Sequence, residues 1–494
     1  MRYSELLNIA GIDSKTVKDF TVKGLAYDSR KIKEGFIFFA IKGYKEDGNK
    51  YVPKAIEDGA KAIITDFITE KDFVEEISDE INIIGVDDVR KVMAQIAYAY
   101  YGKPSEKIKL IGVTGTNGKT TITYLLKHIF EAAGFKCGLV GTIDYVTGAS
   151  KKESRLTTPD SIEINSMLRE MADTGIDYCF MEVSSIALVL HRVFGQKFSA
   201  GVFTNLTSEH LDLHKNMQNY FDAKKILFDY LDETGFAVSN LDDRYGFDII
   251  KQTKAKKIYY TMKSDADYKA VNEKISMEGL SFDILCSEGK YNINSNLTGR
   301  FNIYNLLAAV SLARSLNIDF ETIQKAISGF GAVNGRFNKI ELPNKAYAVI
   351  DYSHTSDSLK NAVESAIEIR NMNPEKGRVI TIFGCGGNKD RTKRPVMGEI
   401  ATSLSDYTII TSDNPRFEDP MDIINEILEG VKTKGNYEID ANRETAIKKG
   451  IEISRKGDII LICGKGHETY QEVKGVKSHF DDKEMIEKYS NLAK

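Results

Sequence analysis

The sequence predicts an α/β protein of about three domains: a small α/β N-terminal domain, a central phosphate-loop domain with a mostly parallel sheet, and a Rossmann-like C-terminal domain. Three observations predict it. The 494 residues exceed what one hydrophobic core supports. Short apolar runs alternate with segments of helical period along most of the chain, as in strand–helix–strand units. A glycine-bearing loop, Gly115-Thr116-Asn117-Gly118-Lys119-Thr120-Thr121, joins an apolar run at 108–113 to a helical stripe of Ile122, Leu125, Leu126, Ile129, Phe130 and Ala133.

Taken in order, residues 1–104 carry strand-like runs at 36–41, 62–65 and 81–86. A helical stripe of Val89, Val92, Met93, Ile96, Ala97 and Tyr100 follows, then the break Gly102-Lys103-Pro104. The turns Asp28-Ser29-Arg30, Lys42-Gly43 and Asp47-Gly48-Asn49 read, on their own, as solvated turns. Residues 105–333 add strand candidates at 177–183, 200–204, 237–240 and 257–261. Ligands gather at the carboxyl ends of such strands. Two polar stretches stand at those ends besides the phosphate loop, Glu182-Val183-Ser184-Ser185 and Asn205-Leu206-Thr207, so all three are expected around one cleft. From 334 to 494 the pattern restarts, with apolar runs at 346–350, 379–383, 407–411 and 459–463. Polar clusters follow each run: Asp351-Tyr352-Ser353-His354, a stretch from Gly384 that includes Cys385 and Lys389, Asp413-Asn414-Pro415-Arg416, and Gly464-Lys465-Gly466-His467-Glu468.

Composition narrows the function. With 67 basic and 71 acidic residues and a net charge of -4, nucleic acid is not an expected partner. There is no apolar run of membrane length and no signal-peptide pattern, so a cytoplasmic protein without membrane insertion is expected. The five cysteines are odd in number and widely spaced, which predicts reduced, mostly buried thiols, with Cys385 in a loop beside a ligand.

A glycine loop between a strand and a helix holds phosphate through backbone N–H groups and the helix N-terminus. Lys119 would reach the outer phosphates and Thr120 would bind Mg²⁺. The loop is shorter than the usual Walker pattern, since Val113 stands six before Lys119. Glu182, at a neighbouring strand end, is placed to share the metal with Thr120. His210, just past another strand end, is a candidate metal or phosphate contact.

The loop, Glu182-Val183-Ser184-Ser185, Thr204-Asn205-Leu206 with His210-Leu211-Asp212, and the stretch from Tyr220 to Lys224 together resemble the central domain of the Mur ligases. Thr157-Thr158-Pro159-Asp160, Asp413-Asn414-Pro415-Arg416 and Gly464-Lys465-Gly466-His467-Glu468 narrow the likeness to the members that add the third residue of the stem peptide. The resemblance implies an ATP-dependent amide ligase of peptidoglycan precursor synthesis, working through an acyl phosphate. Its small-molecule substrates would be ATP, a UDP-N-acetylmuramoyl dipeptide and a diamino acid, and a monomer is expected.

By the same resemblance, Lys119, Glu182, His210 and Lys224 would be catalytic. Thr120, Glu182, His210 and a CO₂-derived carbamate on Lys224 would hold Mg²⁺. ATP would meet Gly115 to Thr121, Asn302, Asn305, Arg336, Asp351 and His354. The nucleotide sugar would have its uridine end near Ser29, Arg30 and Gly43, and its peptide end near Thr157, Thr158, Ser184 and Arg192. The amino acid would meet Lys389, Asp413, Asn414, Arg416, Gly464 and Glu468. Arg416 suits the second carboxylate of meso-diaminopimelate, because a guanidinium fork matches a carboxylate. L-lysine, meso-lanthionine, a folylpolyglutamate synthetase-like reaction, a phosphate-loop phosphatase or kinase, and an ATP-binding regulatory protein are the alternatives. Three positions depart from the family pattern: Ile186 and Asn49 where histidine is common, and Lys389 where arginine is frequent.

Overall fold

The computed structural model describes residues 1–43, 46–66, 81–209, 211–432 and 435–493. Three large sheets organise the described residues. The first is parallel, in the order Gly24–Ala26, Phe36–Ala40, Ala60–Thr65, Asn82–Gly85. Side chains alternate across a strand, so Ile37 and Phe39 pack with the helices Tyr3–Ile9 and Val89–Tyr100, while Phe38 and Ala40 pack with Val52–Glu57. Burial on both faces explains why Phe36–Ala40 reads as an unbroken apolar run.

Among the described residues the central sheet has eleven strands. Its middle is parallel, in the order Lys256–Thr261, Phe236–Asn240, Phe198–Phe203, Lys109–Thr114, Tyr178–Glu182, Cys137–Val140. The helices Lys119–Ala132, Phe301–Ser315 and Phe320–Gly329 cover one face, and Ser161–Asp173 with Met217–Asp229 cover the other. Both flanks turn antiparallel: Asp144–Val146 and Lys151–Glu153 on one side, and on the other the meander Tyr268–Ile275, Leu280–Cys286, Gly289–Ser295, whose first strand is still parallel to Lys256–Thr261. The strand that feeds the phosphate loop therefore lies between two parallel neighbours, and three carboxyl ends open side by side.

The third sheet has the order Asn338–Glu341, Tyr347–Asp351, Ile459–Cys463, Val379–Phe383, Tyr407–Thr411, Tyr437–Asp440. Only its first strand is antiparallel to its neighbour. The four expected strands of this unit are present, one of them shifted by a single residue. A hairpin of Tyr470–Val473 and Val476–His479 stands beside this sheet. A buried pair, Arg443 and Asp482, 2.7 Å apart and shielded from solvent, ties the helix Asp482–Tyr489 to the helix Arg443–Glu452.

Candidate active site

The phosphate loop is fixed by its neighbours. Gly115 has φ +148°, and a Cβ there would lie 1.8 Å from the Thr204 hydroxyl, so no side chain fits. Gly118, at φ +90°, precedes the helix Lys119–Ala132 and would strike Asn305 Oδ1 at 2.5 Å. The loop after Phe198–Phe203 buttresses it from the side: Thr116 N–H donates to Asn205 O at 2.8 Å, Asn117 N–H to Asn205 Oδ1 at 2.9 Å, and Thr204 Oγ1 to Asn117 O at 2.6 Å. Lys119 Nζ donates to the carbonyls of Gly115 and Thr116 at 2.9 and 2.8 Å. Desolvation lowers its pKa, against the pull of Glu209 and Glu182.

Glu182 is fully buried and accepts on both oxygens. Oε1 takes Thr142 N–H at 2.8 Å, and Oε2 takes the Thr120 and Thr142 hydroxyls at 2.9 and 3.0 Å. The Thr120 hydroxyl also accepts from Arg336 Nη2 at 3.1 Å. The Thr120 hydroxyl and the Glu182 carboxylate thus meet at the head of the helix, a pair of hard oxygen donors of the kind that suits Mg²⁺. Among the described residues no three His, Cys, Asp or Glu side chains form a metal-binding group. His210, expected to complete such a set, lies outside the described residues.

Lys224 comes from Met217–Asp229 and is buried, 1 % exposed. Its Nζ donates to Gly115 O at 2.8 Å and lies 4.5 Å from the Tyr220 ring centroid. Burial lowers its pKa well below the usual lysine value, and Lys119 adds to that. The residue therefore sits directly behind the phosphate loop with a bias toward the neutral amine.

The part of the cavity expected to receive the nucleotide is built from two units. Asn305 lines the cavity; Asn302 stands behind it, donating to Thr298 O and accepting from Asn305 Nδ2 at 2.8 Å, so it orients its neighbour. Arg336, Asp351 and His354 line the same cavity from the C-terminal side. Asp351 is held by Phe337 N–H at 2.8 Å and Ser353 N–H at 2.9 Å. The Arg336 guanidinium stacks 4.7 Å from the Tyr352 ring, and His354 Nε2 lies 3.9 Å from Glu209.

One cavity of about 1160 Å³ connects these groups. Thr157, Thr158, Ser184, Ile186 and Arg192 line another part of it, with Arg192 Nη1 donating to Thr158 O at 2.8 Å. Lys389, His467 and Glu468 line a third part. Behind Glu468, Asn414 Nδ2 donates to its Oε2 at 2.7 Å, and Lys465 Nζ, fully buried, lies 3.5 Å away. Asp413 is buried, and a Cβ on Gly464 would meet its Oδ2 at 2.4 Å. Arg416 stands outside the cavity wall; it donates to Gly387 O at 2.8 Å and faces Glu472 at 3.5 Å. Ser29, Arg30 and Gly43 lie apart from the cavity in the first unit, where Arg30 is bound to Asp28 at 2.7 Å.

Several residues of this site carry no strong sequence signal. Thr142 follows a four-residue strand, Glu209 sits in an irregular loop, and Asp357 opens a helix, where an acid reads as a helix-terminal charge. One departure, Asn49, gains a physical setting, and the expectation that Cys385 lies beside a ligand is not met. Asn49 is buried, accepting from Thr65 Oγ1 at 2.6 Å and bonded to Asp47, so it works within its own turn. Cys385 is 3 % exposed, with its thiol 3.7 Å from the Met397 sulfur and its pKa pushed up by burial to about 12; it does not line the cavity. Among the described residues every cysteine is free, and no helix is long and apolar enough to cross a membrane.

Residues 113–313 match the Mur ligase middle domain, 335–466 the Mur ligase glutamate ligase domain, and 21–101 the Mur ligase family catalytic domain. A Clostridium botulinum protein named UDP-N-acetylmuramoyl-L-alanyl-D-glutamate--2,6-diaminopimelate ligase is 44% identical over 473 residues, 94% of each chain. A Clostridium tetani protein of the same name is 44% identical over 470 residues, covering 95% of this chain and 94% of its own. A solved structure with that name superposes with a TM-score of 0.68 at 30% identity, over 98% of both chains. Matched along nearly its whole length and in all three units, the chain belongs to the Mur ligase family.

Proposed function

We propose that this chain is an ATP-dependent carbon–nitrogen ligase that adds meso-diaminopimelate to UDP-N-acetylmuramoyl-L-alanyl-D-glutamate, in cytoplasmic peptidoglycan precursor synthesis. The observation that carries the reading is the single cavity in which the phosphate loop, the Thr157–Arg192 wall and the Lys389–Glu468 wall face one another. A phosphatase or kinase has no need of the third wall. A free carboxylate is a poor acyl donor. In the proposed reaction it attacks the γ-phosphate of ATP, ADP leaves, and the amino group of the incoming amino acid displaces phosphate from the acyl phosphate to form the amide.

The protein's share is positioning and charge neutralisation. Lys119, released from the loop carbonyls, would hold the outer phosphates, and Arg336 would add a second cation beside Thr120. Mg²⁺, held by Thr120 and Glu182 with His210, would supply further neutralisation of the phosphate charge. The desolvated amine of Lys224 supports carbamylation there, since CO₂ adds to a neutral amine and leaves an anionic group behind Gly115. Ser29, Arg30 and Gly43 would receive the uridine end of the nucleotide sugar, and Thr157, Thr158, Ser184 and Arg192 its dipeptide. Glu468, steadied by Asn414 and Lys465, would pair with the ammonium of the amino acid. Lys389, with Asp413 and Gly464 shaping the floor, would meet the distal carboxylate, joined by Arg416 once its side chain leaves Gly387 and Glu472 and turns in past the cavity wall.

Phosphate release with ATP, Mg²⁺ and the nucleotide dipeptide tests the reading. Release is expected to need the dipeptide and to respond to meso-diaminopimelate far more than to L-lysine or meso-lanthionine. Release indifferent to dipeptide and amino acid would overturn it.

A further inference from the structure

Asp357 lies in the first turn of the helix Ser356–Met372, in the C-terminal unit, yet its carboxylate is bound to the central one. Its Oδ2 accepts from the Thr207 hydroxyl at 2.8 Å, from Asn117 Nδ2 at 3.1 Å, and from Asn361 Nδ2 of its own helix at 3.1 Å. Asn117 belongs to the phosphate loop, and Thr207 to the segment that buttresses it. These two are already coupled, because Thr207 N–H donates to Thr116 Oγ1 at 3.0 Å. Asp357 therefore grips both sides of one rigid corner, and Asn361 keeps it aimed.

Helix capping does not account for this acid. Thr355 already caps the helix, accepting from Ser358 N–H at 3.2 Å within a capping box. Electrostatics makes the placement costly, since a carboxylate beside a site for a polyanionic nucleotide repels its ligand. What offsets the cost is a pair of charge-assisted hydrogen bonds made only when the C-terminal unit is seated. The same seating brings Arg336 to Thr120. We propose that Asp357 is a positioning residue that latches the C-terminal unit onto the phosphate loop, so that loop and Arg336 reach their working arrangement together. This rests on the ligase reading given above.

Asp357→Ala in the full chain tests it, with Thr207→Val removing a bond from the other side. Both variants should lose kcat by about tenfold, the effect of one charge-assisted hydrogen bond, while KM for the dipeptide and for diaminopimelate stays within about twofold. The double variant should lose no more than the worse single one, as expected for groups acting through one contact. Small-angle scattering should give a larger radius of gyration for Asp357→Ala than for the parent chain. Unchanged kcat, additive losses or superimposable scattering curves each overturn the latch. Parent turnover that ignores the dipeptide would instead overturn the ligase reading, and the scattering comparison would still decide the latch.

Discussion

Glu182→Gln separates the carboxylate's charge from its shape. The Thr142 N–H at 2.8 Å can only donate, so the amide oxygen must take the Oε1 place and the NH₂ must face the Thr120 and Thr142 hydroxyls. Both hydroxyls can rotate to accept, and the side chain keeps its volume in a fully buried site. Each of the three bonds loses its ionic assistance, about 1 kcal/mol apiece, so destabilisation of about 2–3 kcal/mol is expected and the chain should remain folded. Catalysis should suffer more. Removing a unit charge about 4 Å from a cation at an effective dielectric of 20 changes its energy by about 4 kcal/mol, or about a thousandfold in rate. Dipeptide-dependent phosphate release measures the rate, and thermal unfolding by calorimetry measures the fold. A variant that keeps more than about a tenth of parental turnover would refute the assignment of Glu182 to the phosphate-transfer site.

Three further outcomes are expected. Lys224→Ala should be inactive in phosphate release and partly restored by added acetate or formate, which can occupy the space of a carbamate; full activity without rescue argues against the modification. Arg416→Ala should raise KM for diaminopimelate by about tenfold or more, as expected for a lost charged hydrogen bond, with KM for ATP little changed in the same assay. His467, whose Nδ1 is buried without a partner among the described residues, has its pKa lowered by burial, and by Arg336 next, to about 4. The unfolded chain therefore binds the proton first: this contribution to stability is complete above the ordinary value of about 6.5 and is lost as pH falls through 4, at most about 3 kcal/mol. His467→Gln should flatten the dependence of the unfolding free energy on pH across that window, measured by urea titration.

Strands with two buried faces were legible in the sequence because burial on both sides leaves an unbroken apolar run, as in Phe36–Ala40 and Ile459–Cys463. The meander was not legible. Tyr268–Ile275 alternates buried positions with Lys269, Asn272 and Glu273, and such a half-exposed strand looks like polar surface until its partners are known. The phosphate loop could be read locally, since glycine is demanded there by backbone shape. Thr142 and Asp357 could not, because each acts across a gap that only tertiary packing closes. Arg416 and Asn302 illustrate the opposite limit: a motif names a residue without telling whether it faces the cavity or steadies a neighbour that does.

Arg336 lies in the connection between the central and C-terminal sheets, but its backbone belongs to the latter. Tyr352 N–H donates to Gly335 O, Phe337 N–H to Asp351, and a Cβ on Gly335 would come 2.2 Å from His467 N. The arginine therefore travels as cargo of the C-terminal sheet and not as a trailing end of the central one. A chain cut ahead of it would keep Lys119 and Glu182 but surrender the guanidinium that stands beside Thr120. Under the proposed reaction that division of ownership would restrain idle ATP hydrolysis, because the half of the protein that would grip the nucleotide lacks a charge that arrives only with the half that would receive the amino acid.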